Sequence, residues 1–345
     1  MRSMVLAVPA PAESRPLQLR ERDPLVPGAG ELLVRIEVCG VCRTDLHVVE
    51  GDLEPRRGAI VPGHEVVGRV ETCGQNVAGY APGDRVGVAW LHRTCGRCRF
   101  CTSARENLCV SPRFTGWEVD GGYADQALVP AEFAYRLPDT LAAREAAPLL
   151  CAGIIGYRAY RRSGVRAGGR LGLFGFGGSA HIAIQVARHY GCEVSVFSRG
   201  DRHRELAEEL GAVWVGATDE RPPHPLDAAI LFAPTGELVP FALEALDRGG
   251  VLAIAGIHLS DIPSLDYRRQ LFEEREIRSV TANTREDGRA LLGLAGEIPI
   301  RTWTTGYPLE AANEALIDLK RGRIAGAAVL EIARTGRGSE HAAAL

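Results

Sequence analysis

Three groups of residues in this chain have types and spacings suited to chemistry. The run Val38-Cys39-Gly40-Val41-Cys42-Arg43-Thr44-Asp45-Leu46-His47 is answered downstream by Pro62-Gly63-His64-Glu65-Val66-Val67-Gly68. A Cys42 thiolate and a His64 imidazole are soft and borderline donors of the kind zinc prefers, and a catalytic zinc takes three protein ligands, leaving a fourth position for water or substrate. Two donors are in hand, so a third must come from elsewhere. Taken singly, Cys42 reads as a small buried hydrophobe and His64 as a loop histidine. The company of Thr44, Asp45, His47 and Glu65 reverses that reading.

The second group is Cys95, Cys98, Cys101 and Cys109, spaced C-x2-C-x2-C-x7-C. Two-residue gaps let successive thiolates converge on one tetrahedral ion, and a closed shell of four leaves no open position, which points to a structural zinc. Iron–sulfur ligation uses a similar short spacing, so spacing leaves that alternative open. The third group is Gly175-Phe176-Gly177-Gly178-Ser179-Ala180, a G-x-G-x-x-A turn between the apolar run Leu171 to Phe174 and an amphipathic helix at His181 to His189. In that setting glycines allow a tight turn and the close approach of backbone N–H groups to a pyrophosphate at a helix N-terminus. The next strand, Glu193 to Phe197, ends at Ser198-Arg199, where an acidic residue would favour NAD and its replacement beside an Arg makes room for the 2′-phosphate of NADP. NADP is therefore favoured over NAD, with Asp201 close enough to restore an acidic contact.

These groups need a scaffold, and the composition bounds it. With 345 residues, 46% of them hydrophobic, and a formal charge of −3, the chain suits about two ordinary globular domains and lacks the concentrated basic face of a nucleic-acid binder. The N-terminal run carries no long apolar core, and no stretch approaches the roughly 20 apolar residues of a membrane span, so a cytoplasmic protein is expected. Nine cysteines in a chain of this length, four of them within one short segment, suit metal binding better than a disulfide scaffold. Cys39, Cys73 and Cys192 stand outside every motif and read as core thiols.

Along the chain, Glu31 to Val38 is the clearest early strand, followed by Val66 to Glu71 and Arg85 to Trp90 between Gly, Pro and Asp turns. Residues 1–150 thus form a short-stranded β domain with the cysteine lobe at about 91–112. Helices broken near Pro148 are expected from Ala143 to Arg161. From Arg170 the pattern alternates: helix Arg202 to Leu210, strand Ala228 to Phe232, helix Val239 to Leu246, strand Val251 to Ala255 and strand Ile277 to Ala282. This is a Rossmann domain over 151–285. Residues 286–345, with helix Leu309 to Lys320 and strand Ala327 to Ile332, return to the first domain, and Gly336 to Leu345 reads as a frayed tail.

Over nearly its whole length the chain resembles the zinc-dependent alcohol dehydrogenases of the medium-chain dehydrogenase/reductase superfamily, most specifically in Gly-Val-Cys-Arg-Thr-Asp-Leu-His and Gly-His-Glu-Val-Val-Gly. The resemblance implies an α/β protein, with a GroES-like β-rich catalytic domain and a doubly wound parallel-sheet Rossmann domain. It implies that Cys42, His64 and Cys151 bind catalytic zinc and that the four-cysteine lobe holds a structural zinc. It further implies that Thr44 contacts the substrate alcohol, and that Asp45 and Glu65 lie behind the ligands. The metal would polarise an alcohol oxygen, hydride would pass to the nicotinamide, and the proton would leave by Thr44, a cofactor ribose and His47. Trp90 would form an aromatic wall of the substrate pocket, with Leu53 and Trp117 beside it.

Two positions depart from the family pattern. Ile155 stands where many members carry a Thr against the nicotinamide, and Ala327 where many carry an Arg on the pyrophosphate. Dinucleotide affinity would then lean on Arg43 and the glycine turn. Small to medium primary alcohols or aldehydes are the expected substrates. A polyol or secondary-alcohol dehydrogenase is the alternative within the family, and a catalytically weak dinucleotide-binding sensor the alternative of another class. An apolar edge strand near Ile277 to Ala282 suggests a homo-oligomer, dimer or tetramer.

Overall fold

The computed structural model describes residues 1–324 and 326–332. Its strands form two main sheets. The first runs, edge to edge, through Thr304–Pro308, Ala327–Glu331, Glu31–Val41, Glu65–Cys73, Arg85–Val88 and Ala134–Arg136, with Gln126–Pro130 also paired to Glu31–Val41. All pairings are antiparallel except Thr304–Pro308 with Ala327–Glu331. The chain's C-terminal strands thus return to the sheet that carries the Cys42 motif.

Register in this sheet brings the first motif to the second. Gly40 pairs with Glu65 across the antiparallel ladder, so the residues just past each strand end, Cys42 and His64, emerge side by side. Position 40 must be glycine for this to work, because a Cβ there would overlap the Glu65 carboxylate. Beyond the strand, Cys42 becomes the N-cap of helix Arg43–Glu50, its sulfur accepting from the Thr44 N–H while the Asp45 side chain accepts from the Cys42 N–H. Gly51 then ends the helix in the left-handed conformation that glycine adopts most readily.

The second sheet is all parallel, in the order Trp214–Gly216, Glu193–Phe197, Arg170–Phe174, Leu226–Leu231, Leu246–Ile254 and Glu276–Ser279. Counted within the sheet this is 3-2-1-4-5-6, the doubly wound arrangement whose crevice lies where the order reverses, beside Arg170–Phe174. Its central strands are apolar runs because helices cover both faces: Leu171, Leu173, Ile230 and Leu252 are fully buried, each contributing on the order of 1.5–3 kcal/mol. Helix Ala152–Ser163 packs on helix Gly178–His189 through Gly156, where a Cβ would meet the Ser179 carbonyl.

Several expected elements shift. The helix after the glycine turn starts at Gly178, three residues before His181, because Gly178, Ser179 and Ala180 already take helical geometry behind the Gly177 cap. Helices do break near Pro148, as Ala143–Ala146, a 3-10 segment Ala147–Leu150, and Ala152–Ser163. The last parallel strand stops at Ser279 instead of Ala282, and Ala282 has a positive φ of 46°, which no strand residue adopts. That edge strand is Glu-Ile-Arg-Ser, largely exposed, with Arg278 paired to Glu276, so the edge is charged where an apolar one was expected. The expected tail Gly336 to Leu345 lies outside the described residues.

Candidate active site

Cys42, His64 and Cys151 converge although 109 residues separate the first from the last. The Cys42 Sγ lies 3.3 Å from His64 Nε2 and 3.9 Å from Cys151 Sγ. Cys151 reaches this point because it joins the 3-10 segment Ala147–Leu150 to helix Ala152–Ser163, packed against the strands that carry the other two. Glu65 adds a carboxylate oxygen, and all four donor atoms lie within 4.8 Å of one another. The sequence reading set Glu65 behind the ligands; its carboxylate stands among them.

Asp45 organises this cluster. Its Oδ1 accepts from the Gly63 N–H at 3.2 Å and meets His64 Nδ1 at 2.9 Å, while its Oδ2 accepts from the Cys42 N–H at 3.0 Å. Asp45 therefore selects the His64 tautomer that leaves Nε2 facing the two sulfurs. The electrostatics call for a cation. The Cys151 hydrogen bond, with help from His64, lowers the Cys42 thiol, while burial and the Cys42 charge push the Glu65 carboxyl up. Cys151 is raised by its bond to Cys42 and by burial. Burial opposes the protonation of His64, but Asp45 and Cys42 outweigh it and hold the imidazole's pKa up. Buried groups that can be anionic together only at a cost fit a divalent ion, and two sulfurs with one imidazole are zinc donors.

The four-cysteine lobe closes as its spacing implies. Cys95, Cys98, Cys101 and Cys109 present four sulfurs within 4.8 Å, with Cys98 and Cys101 at 3.5 Å. Backbone N–H groups of Cys101 and Val110 lower the Cys98 thiol to about 6, and the Cys95 and Ser111 N–H groups point at the Cys109 sulfur. Four sulfurs gathered at one point, two of them with lowered thiols, fill a tetrahedral shell and suit a structural ion.

The dinucleotide turn lies where the parallel sheet predicts. Gly175 has φ +87°, and a Cβ there would press on Ala233. Gly177 caps the helix, while Gly178, Ser179 and Ala180 form its first turn. Gly178 and Ser179 line the same cleft as Cys42, Arg43, Thr44, Leu53, Glu65, Trp90, Trp117 and Cys151, a cavity of about 520 Å³. Ile155 and Ala327 are also in its wall. A larger groove, about 880 Å³, runs past Tyr80, Tyr135 and Arg289, but it gathers no thiol or carboxylate cluster.

His47 does not line this cavity. Its Nδ1 contacts Asp52 Oδ2 at 2.7 Å, and its ring sits 6.3 Å from that of His258. Ser198 is buried at the end of its strand, its carbonyl accepting from Arg204 Nε at 2.7 Å, with Arg199 exposed beside it.

Sequence reasoning missed three parts of the cavity. Phe114 packs against both Trp90 and Trp117, with centroids 5.0 and 5.9 Å away, while the two tryptophans stack on each other at 6.0 Å, and Trp90 meets the His64 ring edge-on at 5.0 Å. The i, i+3 spacing of Phe114 and Trp117 was the only signal. Asn107, within the cysteine lobe, and the segment Val280 to Asn283 also line the cavity; no local pattern announces either.

Residues 28–139 match the family model described as the alcohol dehydrogenase GroES-like domain, and residues 178–297 that described as zinc-binding dehydrogenase. The chain is 56% identical over 329 residues to a probable alcohol dehydrogenase, AdhA, of Mycobacterium tuberculosis, covering 94% of this chain and 95% of that one. It is 35% identical over 332 residues to an alcohol dehydrogenase of Geobacillus stearothermophilus, covering 92% and 97%. The cobalt- and zinc-bound structure of a thermostable alcohol dehydrogenase from Pyrobaculum aerophilum superposes with a TM-score of 0.87 at 28% identity, over 96% of this chain and 99% of that one. With two zinc-type donor clusters, a doubly wound sheet and relatives of this closeness, the chain belongs to the zinc-dependent alcohol dehydrogenases of the medium-chain dehydrogenase/reductase superfamily.

Proposed function

We propose that this protein interconverts small to medium primary alcohols and their aldehydes, passing hydride to or from a nicotinamide dinucleotide, with NADP favoured over NAD. The observation that carries this reading is a single cleft lined both by Cys42 and Cys151 of the donor cluster that His64 completes and by Gly178 and Ser179 of the dinucleotide turn. Cys42, His64 and Cys151 would hold a catalytic zinc, and the four-cysteine lobe a structural one. Bound in the cleft, zinc supplies a Lewis acid that polarises a substrate oxygen.

The chain's own residues do the rest. Thr44, at the start of helix Arg43–Glu50 and lining the cleft, holds its hydroxyl where a substrate proton can be received. His47 is three residues on, on the same helix face, and with the exposed Asp52 beside it can pass that proton to solvent. Trp90, Phe114, Trp117 and Leu53 give an apolar wall that binds an alkyl or aryl chain and keeps water from the reacting carbon. Arg43 offers a cation to the pyrophosphate. Ser198 in place of an acid, with Arg199 next to it, supports NADP.

The reading extends to the division 1–150, 151–285 and 286–345, to a homo-oligomer, dimer or tetramer, and to a cytoplasmic setting, which nine free cysteines suit. Among the described residues no helix is long and apolar enough to cross a membrane. The deciding experiment is a panel of alcohols and aldehydes assayed with NADH and NADPH by reduced-nicotinamide absorbance. Turnover of primary alcohols and aldehydes with a lower KM for NADPH supports the proposal. Dinucleotide binding without turnover of any substrate favours a sensor.

A further inference from the structure

The strap Val280 to Asn283 lines the same cleft as Ala152 and Ile155 of helix Ala152–Ser163, yet it has little regular structure to hold it. Its first residue still joins the parallel sheet, the Val280 N–H donating to the Ile254 carbonyl at 2.9 Å. After that the ladder ends. Ala282 is a left-handed residue with a Cβ, a conformation that persists only where neighbours impose it.

Those neighbours come from the other sheet and from the cysteine lobe. Asn283 Nδ2 donates to the Tyr135 hydroxyl and the Thr284 carbonyl, both at 3.2 Å. Asn107, two residues before Cys109, donates from Nδ2 to the Thr281 carbonyl at 2.9 Å. A carbonyl can only accept, so this bond fixes which end of the amide faces the strap. The adjacent Glu106 accepts from both the backbone N–H and the Nε of Arg285, each at 3.0 Å, just past the strap.

Asn107 is 6% exposed, and its Oδ1 is buried with no hydrogen-bond partner among the described residues. An apolar residue of similar shape would avoid that orphaned acceptor. The polar chemistry of position 107 is therefore directed at the strap. We infer that Asn107 is a positioning residue for the cofactor side of the cleft, and that the four-cysteine lobe, besides stabilising its own loop, is a strut that holds the strap in its strained course. The inference rests on the dinucleotide reading above, because the strap shares its cavity with Gly178, Ser179 and Cys151.

The test is Asn107→Asp in the full chain, which keeps shape but sets a carboxylate against the Thr281 carbonyl. Dissociation constants for NADPH and NADH are read by quenching of tryptophan fluorescence, beside Tm and the lobe's metal content. Weakening of dinucleotide binding by about tenfold or more is expected, with a matching rise in its KM, a smaller change in kcat, and unchanged Tm and lobe metal. Glu106→Gln, which keeps an acceptor but loses the charge, should weaken binding by about two- to threefold. Should Asn107→Asp fail to fold, Asn107→Ser, too short to reach the carbonyl, carries the same expectation. Parent-like affinity in these variants overturns the inference, as does a loss of affinity that only tracks a loss of Tm or metal. A parent protein that binds neither dinucleotide overturns both this inference and the reading beneath it.

Discussion

Asp45 Oδ1 stands 2.9 Å from His64 Nδ1, and the two side chains are 1% and 0% exposed. The same carboxylate caps the helix that Cys42 begins and holds the Gly63 N–H, so one residue orients two of the proposed ligands and the loop between them. Asp45→Asn keeps the size but can fix the wrong tautomer of His64. Affinity for the catalytic metal should fall by roughly 10–100-fold, measured by competition with a chelator, while the four-cysteine lobe stays loaded. Unchanged affinity would mean that His64 is oriented by packing alone.

Cys42→Ser removes a thiolate at the centre of the cluster and leaves Gly177 to Ala180 untouched. Turnover should fall by at least about a thousandfold, the equivalent of roughly 4 kcal/mol of barrier, with dinucleotide binding retained. Normal alcohol oxidation by this variant would defeat the proposed mechanism.

Cys98→Ser tests the lobe. Backbone N–H groups of Cys101 and Val110 lower Cys98 to about 6, so its loss removes a ready thiolate from the set. A fall in Tm of at least about 4 °C is expected, with limited proteolysis cutting first within residues 91–112. Cleavage elsewhere first would count against local loosening.

Two buried histidines give the fold an acid limit. Burial lowers His181 to about 4, and burial with Arg93 and Arg113 nearby lowers His92 to about 4. In the unfolded chain each titrates near about 6.5. Between those values the unfolded state holds more protons, so stability is present above pH 6.5 and is lost as pH falls toward 4, at up to about 1.4 kcal/mol per pH unit for each histidine. Urea midpoints for the parent and His181→Gln should converge as pH is lowered from 7 to 4.5. Parallel curves would show that His181 does not contribute.

Arg199→Ala tests cofactor choice. With Ser198 buried and Arg199 exposed, removal of the guanidinium should raise the KM for NADPH by roughly tenfold and leave that for NADH within about twofold. Equal effects on both cofactors would locate the 2′-phosphate contact elsewhere, with Arg204 the nearest cation to examine.

Much of the site was legible because its information is local. The two-residue gaps among Cys95, Cys98 and Cys101, the glycine turn between strand and helix, and the Cys42 to His47 run constrain their side chains through covalent geometry over a few residues. Alternation of apolar strands with amphipathic helices likewise identified the parallel sheet, because each element's periodicity reports which faces are covered. Cys151 was reachable only through family resemblance, since nothing within its own neighbourhood distinguishes a ligand from a core thiol.

What only the tertiary structure decided depends on pairings across long stretches of chain. The Gly40–Glu65 register set the Glu65 carboxylate among the donors. The lobe's return to the parallel sheet brought Asn107 to Thr281, 174 residues away, and packing clustered Phe114 with two tryptophans. The end of the last parallel strand at Ser279 likewise left a strap that no apolar pattern marks. Residue type and short spacing determine which groups can do chemistry, whereas register and loop closure determine which of them meet, because those are properties of how distant backbone segments pack.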